Sequence, residues 1–357
     1  MARVMPDVAR VMIVDDSPVI RSALARMLSG DPAIRVVTRA ADGATALTSL
    51  AEHAIDVVIL DVEMPGMDGL EVLPLLLRAR PRLRVLMASV RTTRGADITL
   101  RALRLGAADY ITKPSADDLS TESFRAQLLA KIKGLSASQP AAATRAPLRL
   151  TARPARPMSL LAIGSSTGGP QALFSLFQAL GARIAVPVVI TQHMPLSFIP
   201  ILAEQLGRLG GLPCQVAEQG GRLLPGHAYM APGERHFLIQ RSGDDLVAEL
   251  VDQPPEHHCR PAVDPMLRSA AVATRGRLLV IMLTGMGYDG LAGTRAVVEA
   301  GGAALAQDEA SSVVWGMPGA IAQAGLCHEV APIPALARTA LSLLSPRPPP
   351  ARVTEGR

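Results

Sequence analysis

Short apolar runs alternate with amphipathic stretches along the first third of the chain. RVMIV (10–14), IRVVT (34–38), DVVIL (56–60), RVLMAS (84–89) and ADYIT (108–112) read as strands. Between and after them, polar and apolar positions recur at helical spacing over 17–29, 43–52, 69–79, 95–105 and 117–132. Ser17 stands where a helix cap belongs, with Pro18 at the first helical position. Five strands alternating with five helices predict an α/β fold, a doubly wound parallel sheet with its functional crevice beyond the carboxyl ends of the strands.

The alternation resumes at 158. MSLLAI (158–163) leads to a helix from about 169, VPVVIT (186–191) to one from about 197, and RLLVIML (277–283) to one from about 288. Residues 213–252 read as several short strands with Pro-Gly turns at 225–226 and 232–233. This predicts a second, Rossmann-like α/β domain carrying a β-hairpin excursion. Residues 134–157, rich in Ala, Pro, Ser and Arg and without apolar periodicity, read as a linker, and 345–357 as a disordered tail. The expected domains are therefore 9–133 and 158–344.

Composition changes this picture in two places. The net charge of +5 suggests an anionic partner, but its location argues against a nucleic-acid-reading face. Residues 134–157 hold four arginines and no acid, and the tail from 345 holds three arginines against one glutamate, leaving the folded parts near neutral. The three cysteines, Cys214, Cys259 and Cys327, are widely spaced and odd in number, which excludes a disulfide framework or zinc ribbon. No apolar run approaches the ~18 residues of a membrane span and no signal-peptide pattern opens the chain, so the expectation is a cytoplasmic protein with no membrane insertion. A monomer is expected.

In the first domain the polar residues fall at strand ends. Asp15 and Asp16 follow the first strand, Asp61 the third, Ser89 the fourth and Lys113 the fifth. Parallel strands bring all five to one mouth. Three carboxylates there repel one another unless a hard cation sits among them, and Mg²⁺ fits that donor set. Asp61, alone at its strand end, is placed to take a phosphoryl group, with Lys113 and Ser89 contacting the phosphoryl oxygens. Taken singly, Asp15–Asp16 also read as a helix start and Asp61 as an Asx-turn. Through IVDDSP (13–18), LDVEMPGMDG (60–69) and YITKP (110–114), residues 9–133 resemble a response-regulator receiver domain. That resemblance implies Asp61 as phosphoacceptor, Asp15, Asp16, Asp61 and the Glu63 carbonyl as Mg²⁺ ligands, and Ser89, Tyr110 and Lys113 as switch residues. A histidine kinase is the implied phosphodonor. The Lys113–Pro114 bond is open to a cis form because proline follows.

In the second domain, Gly164-Ser165-Ser166-Thr167-Gly168 fits G-x-S-x-G centred on Ser166, a nucleophile at a strand-to-helix turn. The same residues also suit a tight turn, a helix cap or a phosphate cradle. His193 follows VPVVITQ and Asp289 lies in a glycine-punctuated loop after RLLVIML. One sheet edge thus offers a hydroxyl, an imidazole to take its proton and a carboxylate to fix the imidazole. Each partner has a bland reading as well, His193 as a structural histidine and Asp289-Gly290 as a turn. Glu256-His257-His258-Cys259 invites a metal reading, but adjacent histidines in a strand would point to opposite faces.

Six motifs decide between these readings: AIGSSTGGP (162–170), ITQHMP (190–195), LPGHAYMAPG (224–233), RPAVDPM (260–266), LTGMGYDG (283–290) and QDEASSVVWGMP (307–318). Through them residues 158–344 resemble the catalytic domain of the CheB family, the chemotaxis protein-glutamate methylesterases. The resemblance implies Ser166 as nucleophile, His193 as base and Asp289 as orienting acid, with an oxyanion hole at the backbone around Thr167 and Met286. It implies demethylation of glutamate methyl esters, and deamidation of glutamines, on the cytoplasmic helices of chemoreceptors. The esterase step needs no cofactor. Ser165 stands where the family often has alanine, and HHCRPAVD departs from the family's more basic run. The rival reading is a response regulator whose second domain only binds a partner. A DNA-binding output domain is disfavoured because a strand and a glycine-rich turn follow the linker.

Overall fold

The computed structural model describes residues 8–89, 92–113, 122–136, 148–154 and 156–345. Pro114, residues 137–147 and 155 of the expected linker, and the tail beyond 345 lie outside the described residues.

The first domain has the predicted alternation: β1 Ala9–Val14, α1 Pro18–Ser29, β2 Ile34–Ala40, α2 Gly43–Glu52, β3 Val57–Asp61, α3 Gly69–Ala79, β4 Arg84–Ser89, α4 Thr93–Arg104, β5 Asp109–Thr112 and α5 Glu122–Ser136. The sheet order is β2-β1-β3-β4-β5 and every pairing is parallel. The helix starts are written locally. The Ser17 hydroxyl accepts the Ile20 N–H, and Asp68 and Glu71 form a reciprocal capping box before α3. The fourth helix begins two residues earlier than its apolar pattern, because the Thr92 hydroxyl accepts the Gly95 N–H and fixes the turn. The fifth runs to Ser136, so the first residues of the expected linker are helical.

The second domain is built on a seven-stranded parallel sheet of order β14-β13-β12-β6-β7-β9-β8. Its strands are β6 Leu160–Ser165, β7 Val188–Gln192, β8 Cys214–Val216, β9 Ala228–Met230, β12 Leu278–Met282, β13 Ala303–Gln307 and β14 Glu329–Ala331. The helices are α6 Gly169–Leu180, α7 Ile199–Gly210, α8 Val263–Ala273, α9 Leu291–Glu299, α10 Met317–Gln323 and α11 Ile333–Leu344. The expected hairpin is β10 His236–Ser242 paired antiparallel with β11 Asp245–Val251. The two short strands before it join the main sheet instead. The helix expected from about 288 starts at 291: Gly290, at φ +91°, ends the preceding loop in a conformation that L side chains rarely adopt.

The described part of the linker does not hang free. The Thr151 N–H donates to the Cys327 carbonyl, and Arg153 donates to the Ser342 hydroxyl at 2.8 Å, fastening 148–154 to the second domain. The two domains also meet directly. Tyr110 of β5 stacks on Phe198, ring centroids 4.7 Å apart. Such a pair contributes about 0.5–1.5 kcal/mol beyond its buried area. The Gln171 amide of α6 donates to the carbonyls of Leu103 and Ala107 at 2.5 and 2.7 Å, tying the second domain to the end of α4 and the turn before β5. Among the described residues no helix is long and apolar enough to cross a membrane.

Candidate active site

At the first sheet's mouth, Asp15 and Asp61 are each 1% exposed, and carboxylate oxygens of Asp15, Asp16 and Asp61 lie within 4.8 Å of one another. Lys113 Nζ reaches both buried carboxylates, 2.6 Å from Asp61 Oδ2 and 3.1 Å from Asp15 Oδ2. The other Asp61 oxygen accepts the Glu63 N–H at 3.2 Å. Burial pushes the Asp61 carboxyl up to about 6; the Lys113 cation offsets part of this, and the Asp15 charge adds to it. Apart from the Lys113 ammonium at 3.1 Å, Asp15 Oδ2 is buried without a hydrogen-bond partner among the described residues, and Asp15 is one of three carboxylates that converge there. That donor set fits a Mg²⁺ ion. The Ser89 hydroxyl donates to the Gly95 carbonyl at the start of α4. Tyr110 is buried against the second domain.

The second mouth is assembled from four strand ends and loops. Ser166 follows β6 at a turn closed by Gly168, whose φ of +76° a side chain would resist. His193 follows β7, and its backbone N–H donates to the Ser165 carbonyl at 3.1 Å. His193 Nε2 lies 2.8 Å from Asp289 Oδ2. Asp289 is 3% exposed and takes two further donors, the N–H groups of Val263 (2.7 Å) and Asp264 (3.0 Å) in the first turn of α8. A carboxylate at that helix N-terminus caps two orphan donors and meets the positive end of the dipole. Burial works to raise the Asp289 pKa, but the His193 bond and charge and these N–H groups outweigh it and hold the carboxylate ionised, below its ordinary value.

With Nε2 occupied by Asp289, Nδ1 is the nitrogen left to act as base. His193 lines a cavity of about 730 Å³ together with Ser166, Thr167, Met286 and the 257–261 loop. Among the described residues the Ser166 hydroxyl and the His193 ring share no hydrogen bond; the Cys259 sulfur lies 3.5 Å from Nδ1 instead. Such contacts are often loose without substrate. Burial alone would lower the His193 pKa, yet the bond to Asp289 and the Cys259 contact raise it to about 9. Thr167 and Met286, the expected oxyanion positions, both line the cavity, and among the described residues neither backbone N–H has a protein partner.

The two serines differ sharply. Ser165 is fully buried and donates its hydroxyl to Gln192 at 2.6 Å, whereas Ser166 lines the cavity. The opposite wall is the first domain: Tyr110, Ile111 and Thr112 of β5 and Ala126, Gln127, Ala130 and Lys131 of α5.

Both domains match known families. Residues 161–340 match the family described as CheB methylesterase, and residues 11–124 match the response regulator receiver domain. A protein-glutamate methylesterase/protein-glutamine glutaminase of Paramagnetospirillum magneticum is 46% identical over 96% of this chain and 97% of its own. The chain belongs to the CheB methylesterase family. A relative from Azospirillum brasilense, also described as protein-glutamate methylesterase/protein-glutamine glutaminase, is 47% identical over 92% of this chain and 90% of its own. The crystal structure of the Thermotoga maritima CheB methylesterase catalytic domain aligns with a TM-score of 0.51 at 33% identity, covering 52% of this chain and 98% of that one.

Sequence reasoning missed three parts of this CheB site. Gln192 reads as a strand end, Asp264 is visible only as one position of the RPAVDPM motif, and the Cys259–His193 contact has no local signal. The premise used against metal at 256–259 is also corrected. These residues form a tight turn, not a strand, with His257 and His258 both at positive φ, and both line the cavity. Glu256, His257 and Asp264 do approach one another. Their groups are already paired, Glu256 with Arg268 and His257 with Asp264, which leaves no orphan for an ion.

Proposed function

We propose that this chain is a phosphorylation-regulated serine hydrolase that demethylates γ-glutamyl methyl esters on the cytoplasmic helices of chemoreceptors. Ser166 attacks the ester carbonyl while His193 Nδ1 takes its proton. The Thr167 and Met286 N–H groups receive the oxyanion. Methanol leaves with the proton from His193, and water then hydrolyses the acyl-enzyme to glutamate and regenerates Ser166. A glutamine side chain offers the same carbonyl with ammonia as leaving group, so deamidation follows the same path. Neither path calls on a cofactor. The observation that carries the reading is the His193–Asp289 pair opening onto the same cavity as Ser166.

The receiver supplies control. Asp61 accepts a phosphoryl group from a histidine kinase, and Asp15, Asp16, Asp61 and the Glu63 carbonyl would hold the Mg²⁺ that neutralises the transferring oxygens. In the covered form β5 and α5 wall the cavity and restrict access of a receptor helix to Ser166. Phosphorylation at Asp61 shifts the population to an open form through Ser89, Lys113 and Tyr110, whose ring is stacked on Phe198. The working unit is a cytoplasmic monomer with domains 9–133 and 158–344. Methanol release from methylated receptor membranes, with and without a small phosphodonor and Mg²⁺, tests the assignment. Release that rises with phosphodonor is expected; no release under either condition contradicts it and favours a partner-binding domain.

A further inference from the structure

Gln192 closes β7 and is 1% exposed. Its amide makes three hydrogen bonds. Nε2 donates to the Ser166 carbonyl at 2.9 Å and to the His193 carbonyl at 3.1 Å, while Oε1 accepts the Ser165 hydroxyl at 2.6 Å. Only this orientation works: two carbonyls can only accept, so the NH₂ must face them, and the oxygen is left for the hydroxyl. The packing leaves the amide no other place. A Cβ on Gly169 would lie 1.9 Å from Gln192 Oε1, so a glycine opens the space that the amide fills.

The strand ladder does not need this side chain. β6 and β7 pair in unbroken parallel register from Leu161–Val188 to Ser165–Gln192 through their backbones. What the amide adds lies beyond the ladder's end. There it ties the carbonyl of the residue bearing the nucleophilic hydroxyl to the carbonyl of the residue bearing the base. Both are turn positions; backbone bonds anchor each of them, His193 N–H to the Ser165 carbonyl and Ser166 N–H to the Thr284 carbonyl, and the amide adds a bridge between the 166 and 193 carbonyls themselves.

We propose that Gln192 is a positioning residue that sets the spacing of Ser166 and His193, and that the Ser165 hydroxyl locks its amide in the working orientation. The inference rests on Ser166 as nucleophile and His193 as base. A misplacement of about 1 Å costs up to roughly 100-fold in rate. Groups acting as one unit are non-additive.

The test uses the full chain with Mg²⁺ and phosphodonor, measuring kcat and KM for methanol release from methylated receptor membranes and the thermal midpoint of each variant. Gln192→Met keeps the length and removes all three bonds; it should lower kcat about 10- to 100-fold with KM within about two-fold. Ser165→Ala, a smaller deletion, should lower kcat about 3- to 10-fold with the thermal midpoint little changed. The double variant should be no slower than Gln192→Met alone. A loss confined to KM, multiplicative effects in the double variant, or unchanged kcat in Ser165→Ala and in a folded Gln192→Met would overturn the proposal. Ser166→Ala separates the two levels. If it is inactive while Gln192→Met turns over normally, only the positioning role falls; if it is active, the nucleophile assignment falls and takes this inference with it.

Discussion

The chain places a buried carboxylate at the mouth of each of two parallel sheets and treats the two in opposite ways. Asp61 and Asp289 are 1% and 3% exposed, so both suffer desolvation. Asp61 receives one cation and one backbone N–H and sits beside the Asp15 charge, and its pKa rises to about 6. Asp289 receives an imidazole and two N–H groups from the first turn of α8, and its pKa falls. Burial is common to both; donor count and neighbouring charge decide the sign. The under-satisfied carboxylate suits a group that must accept a cation and a phosphoryl group. The over-satisfied one suits a permanent anion that orients a base.

Asp289→Asn strikes this contrast hardest. It keeps the shape but removes the charge and favours the wrong imidazole tautomer, and the loss in kcat should be about 10⁴-fold. Steady-state methanol release with phosphodonor measures it. A loss of only a few-fold would mean that Asp289 is a helix cap and little more.

Asp61→Asn probes the other mouth through stability. A carboxylate whose folded pKa lies above its unfolded value binds more protons in the folded state, so stability falls as pH rises from about 4 to 6 and stays low above that. Removing the charge should raise the thermal midpoint of the Mg²⁺-free protein by a few °C at pH 8 and leave it unchanged below pH 4. A gain that is equal at both pH values would show that charge burial is not the cause.

The smallest effect belongs to Cys259. Its contact with Nδ1 contributes to the raised His193 pKa. Cys259→Ala should move the acid limb of the kcat/KM profile to lower pH by less than about one unit. A shift to higher pH would contradict that contribution.

How far the sequence discloses this arrangement depends on whether a residue's task is local. The strands are legible because doubly covered parallel strands are continuous apolar runs, as in VVIL before Asp61 and LLVIML before Asp289. Ser166 and His193 are legible because they stand just past such runs, and Asp289 because it lies in the glycine-punctuated loop that follows one. Gln192 is not: it occupies the last position of its strand, and only the fold brings the three groups its amide joins together. The helix whose first-turn N–H groups hold Asp289 comes from 263–273, and only the fold brings the two segments together. The turn at 256–259 was hidden for another reason. His257 and His258 both adopt positive φ, which nothing in their identity requires. The wall that the first domain lends to the cavity is a tertiary fact, carried by the Tyr110–Phe198 stack and the Gln171 bonds, and each domain's pattern is complete without it.

The central claim is that an imidazole held by Asp289 activates Ser166 in a cavity that the receiver walls. Treating the full chain with a fluorophosphonate and mapping the adduct by mass spectrometry tests it directly, because such reagents trap a serine activated by its base. The account predicts a single adduct on Ser166, formed faster with phosphodonor and Mg²⁺ and absent in His193→Ala. An adduct on Ser165, or labelling of Ser166 that ignores both His193 and the phosphodonor, would contradict it.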